Sequence, residues 1–397
     1  MPETRKTSRS IGAVVLFGAA ALLLSACDPS GTATPAGPAP SGQAQAGSGD
    51  ATVDAAVAAH YKGTLRSPDT TARPAAKKKK IVVISIGQAS LSSSVPAAAA
   101  VEAAKAMGWD STIYDAQLNP ANAVGLVRQA VNSGADGIVM VAVDCPQAKS
   151  PLEEAKAKGI KVVPIYAYDC SDPIFGGKDP SLFSAGVNYG PAAAKDIGKY
   201  TEDAGAAQAD AVIYATHGKA KVITFNDPEV VVLRYTNKGF LDRLATCAGC
   251  SVVGKVDFVG TELGPPLQQK VTTALLQHPE ANVVKSPFTA ASLLGISPAV
   301  VQSGRASDLY VMGGEGFLPE LDLLRSNHGV SAVNVTPSDW TGWAAIDSIN
   351  SLFAGQAPVD SGLGQILLDK QHNLPASGPY VPAIDFKSIY KKAWGVG

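Results

Sequence analysis

Gln88, Ser90, Ser92, Ser93 and Ser94 crowd amide and hydroxyl groups into one short stretch, GQASLSSS. Such groups donate and accept hydrogen bonds without carrying charge, which suits holding a polar ligand. The same serines are also suited to capping a following helix. Groups that would do covalent chemistry are not assembled. His60, His217, His278, His328 and His372 are scattered, none stands in an HExxH pattern, and no GxSxG elbow or phosphate loop is present. The acid pair Glu153-Glu154 lies on a helical pattern and reads as solvated. These absences favour a binding protein over an enzyme, with no cofactor and no metal expected.

The cysteines carry a second possible chemistry. Cys145 and Cys170 each follow a predicted strand, and those strands should be neighbours, so the two are expected to pair. Cys247 and Cys250 form a CxxC. A small disulfide, a redox centre and half a zinc site are its three readings. A redox centre would need the motif at a helix start after a strand, whereas this one follows a helix. A zinc site would need a second ligand pair, which the sequence lacks. A local disulfide is the reading that survives best.

The elements that position these groups alternate. Lys80–Ile86 is a short Ile- and Val-rich run, read as a buried strand; Gly87 ends it, the Ser-rich loop follows, and Pro96 opens an alanine-rich helix to about Met107. Further strands are predicted at Ser111–Tyr114, Gly137–Val143, Lys161–Tyr166, Phe183–Asn188, Ala211–Ala215, Lys221–Phe225, Ser251–Phe258, Asn282–Lys285, Asp308–Gly313, Val330–Val335 and Gln365–Leu368. Helical patterns lie between most of them, clearest at Ala121–Asn132, Pro151–Lys158, Pro191–Ala204, Val231–Thr246, Leu267–Gln277, Ala290–Gln302 and Trp340–Phe353. This alternation predicts an α/β fold of parallel sheets covered on both faces. About 315 residues exceed one such core, so two lobes are expected. Ligands of open α/β sheets sit outside the carboxyl ends of the strands, which points again to the Ser-rich loop.

The chain has 397 residues, a net charge of −1 and 46% hydrophobic residues, so nothing suggests nucleic-acid binding and large cores are possible. Residues 1–26 read as a targeting segment: Arg5, Lys6 and Arg9 precede the apolar run Ile11–Leu24. Leu24-Ser25-Ala26-Cys27 resembles the lipobox of bacterial lipoproteins, which implies lipidation at Cys27, anchoring to the outer face of the cell membrane and an extracytoplasmic location. Residues 27–79, rich in Pro, Gly, Ala, Ser and Thr, read as a flexible tether with a marginal helix at Ala51–Leu65.

Lys80–Pro120 (IVVISIG, AAKAMGW, YDAQLNPAN), Asn132–Val143 (NSGADGIVMVAV), Gly159–Pro164 (GIKVVP), Gly239-Phe240, Gly313–Gly316 and Val330–Gly355 together resemble the ribose-binding-protein group of bacterial solute-binding proteins, in order and spacing. The resemblance implies a type I periplasmic binding protein: two Rossmann-like lobes joined by a three-stranded hinge, with a ligand cleft between them that closes by hinge motion. Crossings are expected near Tyr189, Pro337 and Leu363, making one lobe of 80–188 plus 337–363 and a second of 189–336 plus 364–397. It implies a monomer that hands a small molecule to an ABC import permease, or alternatively a sensor for a membrane receptor.

By the same resemblance, the loops after the strands line the cleft. They hold Ser90, Ser92, Ser93, Asp144, Tyr166 and Asp169 in the first lobe, and Asn226, Asp227, Arg234, Phe288, Thr289, Glu315 and Asn334 in the second. Glu315, in GGEGF, stands where sugar-binding relatives place an Asp. Three departures matter. Tyr166 and Ala167 stand where those relatives carry an Asp-Arg pair; Thr236 stands where they carry an Arg; serines replace an aromatic pair in the first loop. A sugar or polyol is the first expectation, with an aromatic acid or nucleoside as the alternative.

Overall fold

The computed structural model describes residues 50–193 and 196–397. The targeting segment and Cys27 lie outside the described residues. From residue 50 onward the chain forms one compact unit, and none of its helices is long and apolar enough to cross a membrane.

The elements run α1 (Ala51–Lys62), β1 (Lys80–Ser85), α2 (Leu91–Ala106), β2 (Asp110–Asp115), α3 (Ala123–Asn132), β3 (Gly137–Val141), α4 (Lys149–Ala157) and β4 (Lys161–Ile165). They continue α5 (Ile197–Ala215), β5 (Lys221–Asn226), α6 (Val231–Leu244), β6 (Ser251–Asp257), α7 (Pro265–Gln277), β7 (Val283–Lys285), α8 (Thr289–Ala291), a π turn (Ser292–Ile296) and α9 (Ser297–Gln302). The chain ends with β8 (Tyr310–Met312), α10 (Leu318–Ser326), β9 (Ala332–Val335), α11 (Ser338–Phe353), β10 (Ile366–Asp369) and α12 (Phe386–Trp394).

Two sheets result. The first has the order β2-β1-β3-β4, all parallel, with Ile81 opposite both Ser111 and Gly137. The second has the order β10-β9-β8-β7-β5-β6, parallel except for β10 against β9. Ile81–Ile84 are fully buried because helices cover both faces of their sheet, which is why an unbroken apolar run suits a parallel strand.

Local chemistry sets the helix positions. α2 begins at Leu91, so Ser92–Ser94 form its first turn instead of a free loop, and Pro96 lies inside the helix. α5 crosses α6 where both have glycine: a Cβ on Gly205 would sit 1.9 Å from the Thr236 carbonyl oxygen, and one on Gly239 2.0 Å from that of Glu202. Only glycine permits helix backbones this close.

Four expectations are corrected. Ala211–Ala215 is the last turn of α5, not a strand; a short apolar run has no periodicity of its own, and the alanine-rich segment before it propagates the helix. Phe183–Asn188 pairs with no strand.

Residues 50–79 are not a free tether. Asp50 caps α1, and Val53 and Val57 are buried with Val212 of α5 and Leu367 of β10. Thr64, Arg66 and Asp69 then donate backbone N–H bonds to Gln365, Gly362 and Asp360. Arg73 is buried in an ion pair with Asp347, at 3.0 Å. The approach at Gly364 is so close that a Cβ there would lie 2.3 Å from the Thr64 backbone.

The C-terminus is the last correction. β10 joins the second sheet, but α12 returns to the first lobe, where Phe386, Tyr390 and Trp394 pack on Trp340 and Trp343 of α11. The chain therefore passes between lobes near Asn188, near Pro337 and at 360–365, and again at 63–72 and 370–385.

Candidate ligand-binding cleft

The strand orders place the reversal of winding order between β1 and β3 in one lobe, and between β5 and β7 in the other. Loops leaving the carboxyl ends of strands at such points form a crevice. Here both crevices open onto one cavity of about 140 Å³. From the first lobe it is lined by Ser90, Ser92 and Ser93 of the β1–α2 corner, then Leu118, Ala142 and Tyr166. From the second come Asp227 after β5, Phe288 after β7, Glu315 after β8 and Asn334 of β9. Tyr200, Thr201 and Gln208 of α5 and Leu233 and Thr236 of α6 complete that side.

Leu118, Ala142 and Tyr166 all have left-handed backbones, with φ of 57°, 52° and 51°. Ala142 and Tyr166 are the first residues after β3 and β4, and Leu118 follows β2 by three residues. Glycine would adopt these angles without strain, whereas side chains there cost on the order of 1–3 kcal/mol each. Three such residues around one cavity mark a place where the side chain itself is wanted.

Glu315 is held from behind. Its Oε2 accepts from the Thr289 N–H at 2.7 Å. Buried Glu320 accepts from the N–H groups of Gly314 (2.8 Å) and Gly316 (3.0 Å) and from the Thr289 hydroxyl (2.6 Å), fixing the GGEGF turn. Burial pushes the Glu320 carboxyl above its ordinary value, and the N–H bonds oppose it. Burial likewise lifts Asp227 to about 6. Lys285 is buried over the Phe240 ring at 5.7 Å, outside the cavity lining, and burial lowers its ammonium to about 8.

The lobes touch beside the cavity. Tyr235 of α6 donates to Asp172 at 2.6 Å, and its ring stacks on Tyr168 at 4.7 Å. Asp144 accepts from the Tyr168 N–H at 2.9 Å and from the Val231 N–H of the other lobe. Burial pushes Asp144 up to about 7. A disulfide joins Cys145 to Cys170, with S–S 2.01 Å, tying together the two loops that carry Asp144 and Asp172. The Asp169 carboxylate lies close to both sulfurs, but these are bonded to each other and offer no thiolate to a metal. Cys247 and Cys250 are also bonded.

Of the residues expected at the cleft, Ser90, Ser92, Ser93, Tyr166, Asp227, Phe288, Glu315 and Asn334 line the cavity. Five do not. Asp144 lies at the interlobe contact. Asp169 accepts from Cys170, Leu182 and Phe183 N–H groups and organises its own loop. Asn226 ends β5 away from the lining, Arg234 is exposed on α6, and Thr289 points back to Glu320. The alternation of side chains ends with the strand, so distance from the strand end does not decide which residue reaches the cavity.

Leu118, Ala142, Tyr200, Thr201, Gln208, Glu229 and Leu263 line it without having been foreseen. Of the three on α5, Gln208 lies beyond the expected helix Pro191–Ala204, while Tyr200 and Thr201 lie within it, where no loop position points to the cleft. The two left-handed residues gave no signal, because neither is Gly, Asn or Asp.

The sequence profile of the periplasmic binding protein domain matches residues 93–357. The chain belongs to the periplasmic binding protein family. Such proteins are non-enzymatic solute binders, and the type I fold of this one recurs in solved structures. A glucose-galactose binding protein from Geobacillus stearothermophilus superimposes with a TM-score of 0.63 at 20% identity, covering 75% of this chain and 99% of that one. An ABC transporter solute-binding protein from Burkholderia graminis, in complex with D-arabinose, gives 0.62 at 19% identity, with 76% and 98% covered. A 5-methylthioribose transporter solute-binding protein from Thermotoga lettingae, in complex with 5-methylthioribose, gives 0.63 at 17%, with 82% and 100% covered. No curated protein matches the sequence.

Proposed function

We propose that this periplasmic binding protein is an extracytoplasmic, lipid-anchored receptor that captures one small neutral molecule of the sugar or polyol class and delivers it to an ABC import permease. One observation carries the reading: a cavity at the paired points where strand order reverses, lined by polar side chains of both lobes. The lipobox-like LSAC ending at Cys27 supports the anchor, and the sugars held by the structural neighbours support the ligand class.

Contacts from both lobes to one molecule favour the closed arrangement over the open one, and the closed surface is what a permease can recognise. Tyr235–Asp172, Tyr168–Tyr235, Tyr168–Thr201 and Asp144–Val231 are among the protein's own contributions to closure.

A thermal-shift screen against pentoses, hexoses, polyols, nucleosides, amino acids and aromatic acids tests the reading. A binder at about 100 times its Kd adds roughly 2.7 kcal/mol to stability, enough to raise the melting temperature visibly. A rise confined to neutral sugars or polyols is expected. Silence across the whole panel refutes solute capture of this kind.

A further inference from the structure

The groups facing the cavity are unevenly free. The Tyr166 hydroxyl is shared with Ser338 and Thr341, that of Tyr200 donates to the Gly364 carbonyl at 2.9 Å, and that of Thr236 to the Val232 carbonyl at 2.9 Å. Asn334 donates to Gln365 at 3.0 Å. What remains open both donates and accepts: the Ser90 and Ser93 hydroxyls have no protein partner. Gln208 is 4% exposed, yet its Oε1 has no partner, and the buried Ser92 hydroxyl has none either. Glu315 adds a carboxylate. Among the described residues no Lys or Arg lines the cavity: Arg234 is exposed on α6 and Lys285 is packed on Phe240. The rest of the lining is hydrocarbon from both lobes, including Ile86, Leu118, Val230, Leu233 and Leu263. Leu118 is held there in a left-handed backbone, a conformation that glycine would adopt without strain.

We infer that the cleft selects a neutral, sugar-sized molecule deoxygenated along one edge, which hydrogen-bonds through its hydroxyls to Gln208, Glu315 and the Ser90–Ser93 corner and turns a methyl or similar hydrocarbon edge to the apolar side chains. Anions are rejected. A carboxylate or phosphate would meet Glu315 and Asp227 with no lining cation to compensate its lost water. A fully hydroxylated sugar would leave hydroxyls buried against hydrocarbon without partners. A space of about 140 Å³ suits a molecule of one ring's bulk. This inference rests on the solute-binding reading and narrows its ligand.

Calorimetric titration with matched probes tests it: D-galactose against D-fucose, L-mannose against L-rhamnose, and D-galacturonate as the anion. Within the pair that binds, the deoxy member should bind about tenfold tighter, from burial of a methyl in place of an unpaired hydroxyl. Galacturonate should give no heat of binding. Leu118→Gly should weaken the deoxy sugar more than its parent, narrowing the preference, and leave the apo protein folded, since glycine suits that backbone. A merely structural Leu118 would weaken both sugars alike. A parent sugar binding as tightly as its deoxy partner, or binding of galacturonate, overturns the inference while leaving solute capture intact. No heat from any probe also overturns it; solute capture then stands or falls on the wider thermal-shift panel.

Discussion

Asp144→Asn should make the protein progressively more stable, relative to the native sequence, as pH rises from 4 to 8. Asp144 is 3% exposed, and burial lifts its carboxyl from 3.8 to about 7; the Tyr168 and Val231 N–H bonds and the Arg234 charge oppose the rise without cancelling it. The folded protein therefore keeps a proton that the unfolded chain has already lost. The stability linked to that proton is fully present below about pH 4 and is lost as pH climbs through 7. About three pH units at about 1.4 kcal/mol each give roughly 4 kcal/mol across the window. Asparagine keeps the Oδ1 acceptor and never ionises. Other carboxyls raised by burial, Asp227, Asp347 and Glu320, contribute equally to both proteins and cancel in the difference. Denaturant unfolding of both proteins at pH 4.5, 6 and 8 measures it. Parallel stability profiles, or a native protein that gains on the variant with pH, would refute the burial argument.

Other consequences follow from single contacts. Replacing Cys145 and Cys170 together by alanine should lower stability by about 3.5 kcal/mol, from the chain entropy released by a link of sequence separation 25; a loss below about 1 kcal/mol would show that the Asp144–Tyr168 bond holds the loops alone. Gly239→Ala should cost roughly 2–3 kcal/mol, because its Cβ would overlap the Glu202 carbonyl, and a neutral result in denaturant unfolding would contradict the α5–α6 crossing. Arg73→Ala leaves Asp347 buried with only the Trp394 indole N–H, and should cost about 3–5 kcal/mol while exposing residues 63–76 to limited proteolysis; an unchanged cleavage pattern would restore the free-tether view.

Where the sequence was legible, one period or one residue type settled the matter. The run at Ile81–Ile84 is β-branched and ends at Gly87, which reads as a buried strand, and it is one; Gly239-Phe240 was legible only as part of the family resemblance, and the structure gives its glycine a close helix crossing. Residues 50–79 misled because composition speaks for flexibility, while docking depends on distant partners: Gly362 and Gly364, which admit the backbone, and Asp347, which receives Arg73. Ala211–Ala215 misled because five apolar residues fit a strand and a helix end equally. At the cleft, the Ser-rich corner, Tyr166, Phe288 and Glu315 were readable from loop position. Leu118 and Ala142 were not, since tertiary structure alone forces their left-handed backbones. Arg234 and Thr289 were expected in loops and stand on helices: Arg234 is exposed on α6, and Thr289 opens α8 with its hydroxyl on Glu320.

The central claim is that the interlobe cavity holds one solute. Native mass spectrometry of the protein with an equimolar mixture of neutral sugars, 6-deoxy sugars and polyols, beside Ser92→Phe, tests it most directly. Ser92 lines the cavity, so a ring there would take up its space. The native protein should carry one adduct per chain, and the variant none at an unchanged melting temperature. No adduct on the native protein, or an equal adduct on the filled variant, would contradict the claim.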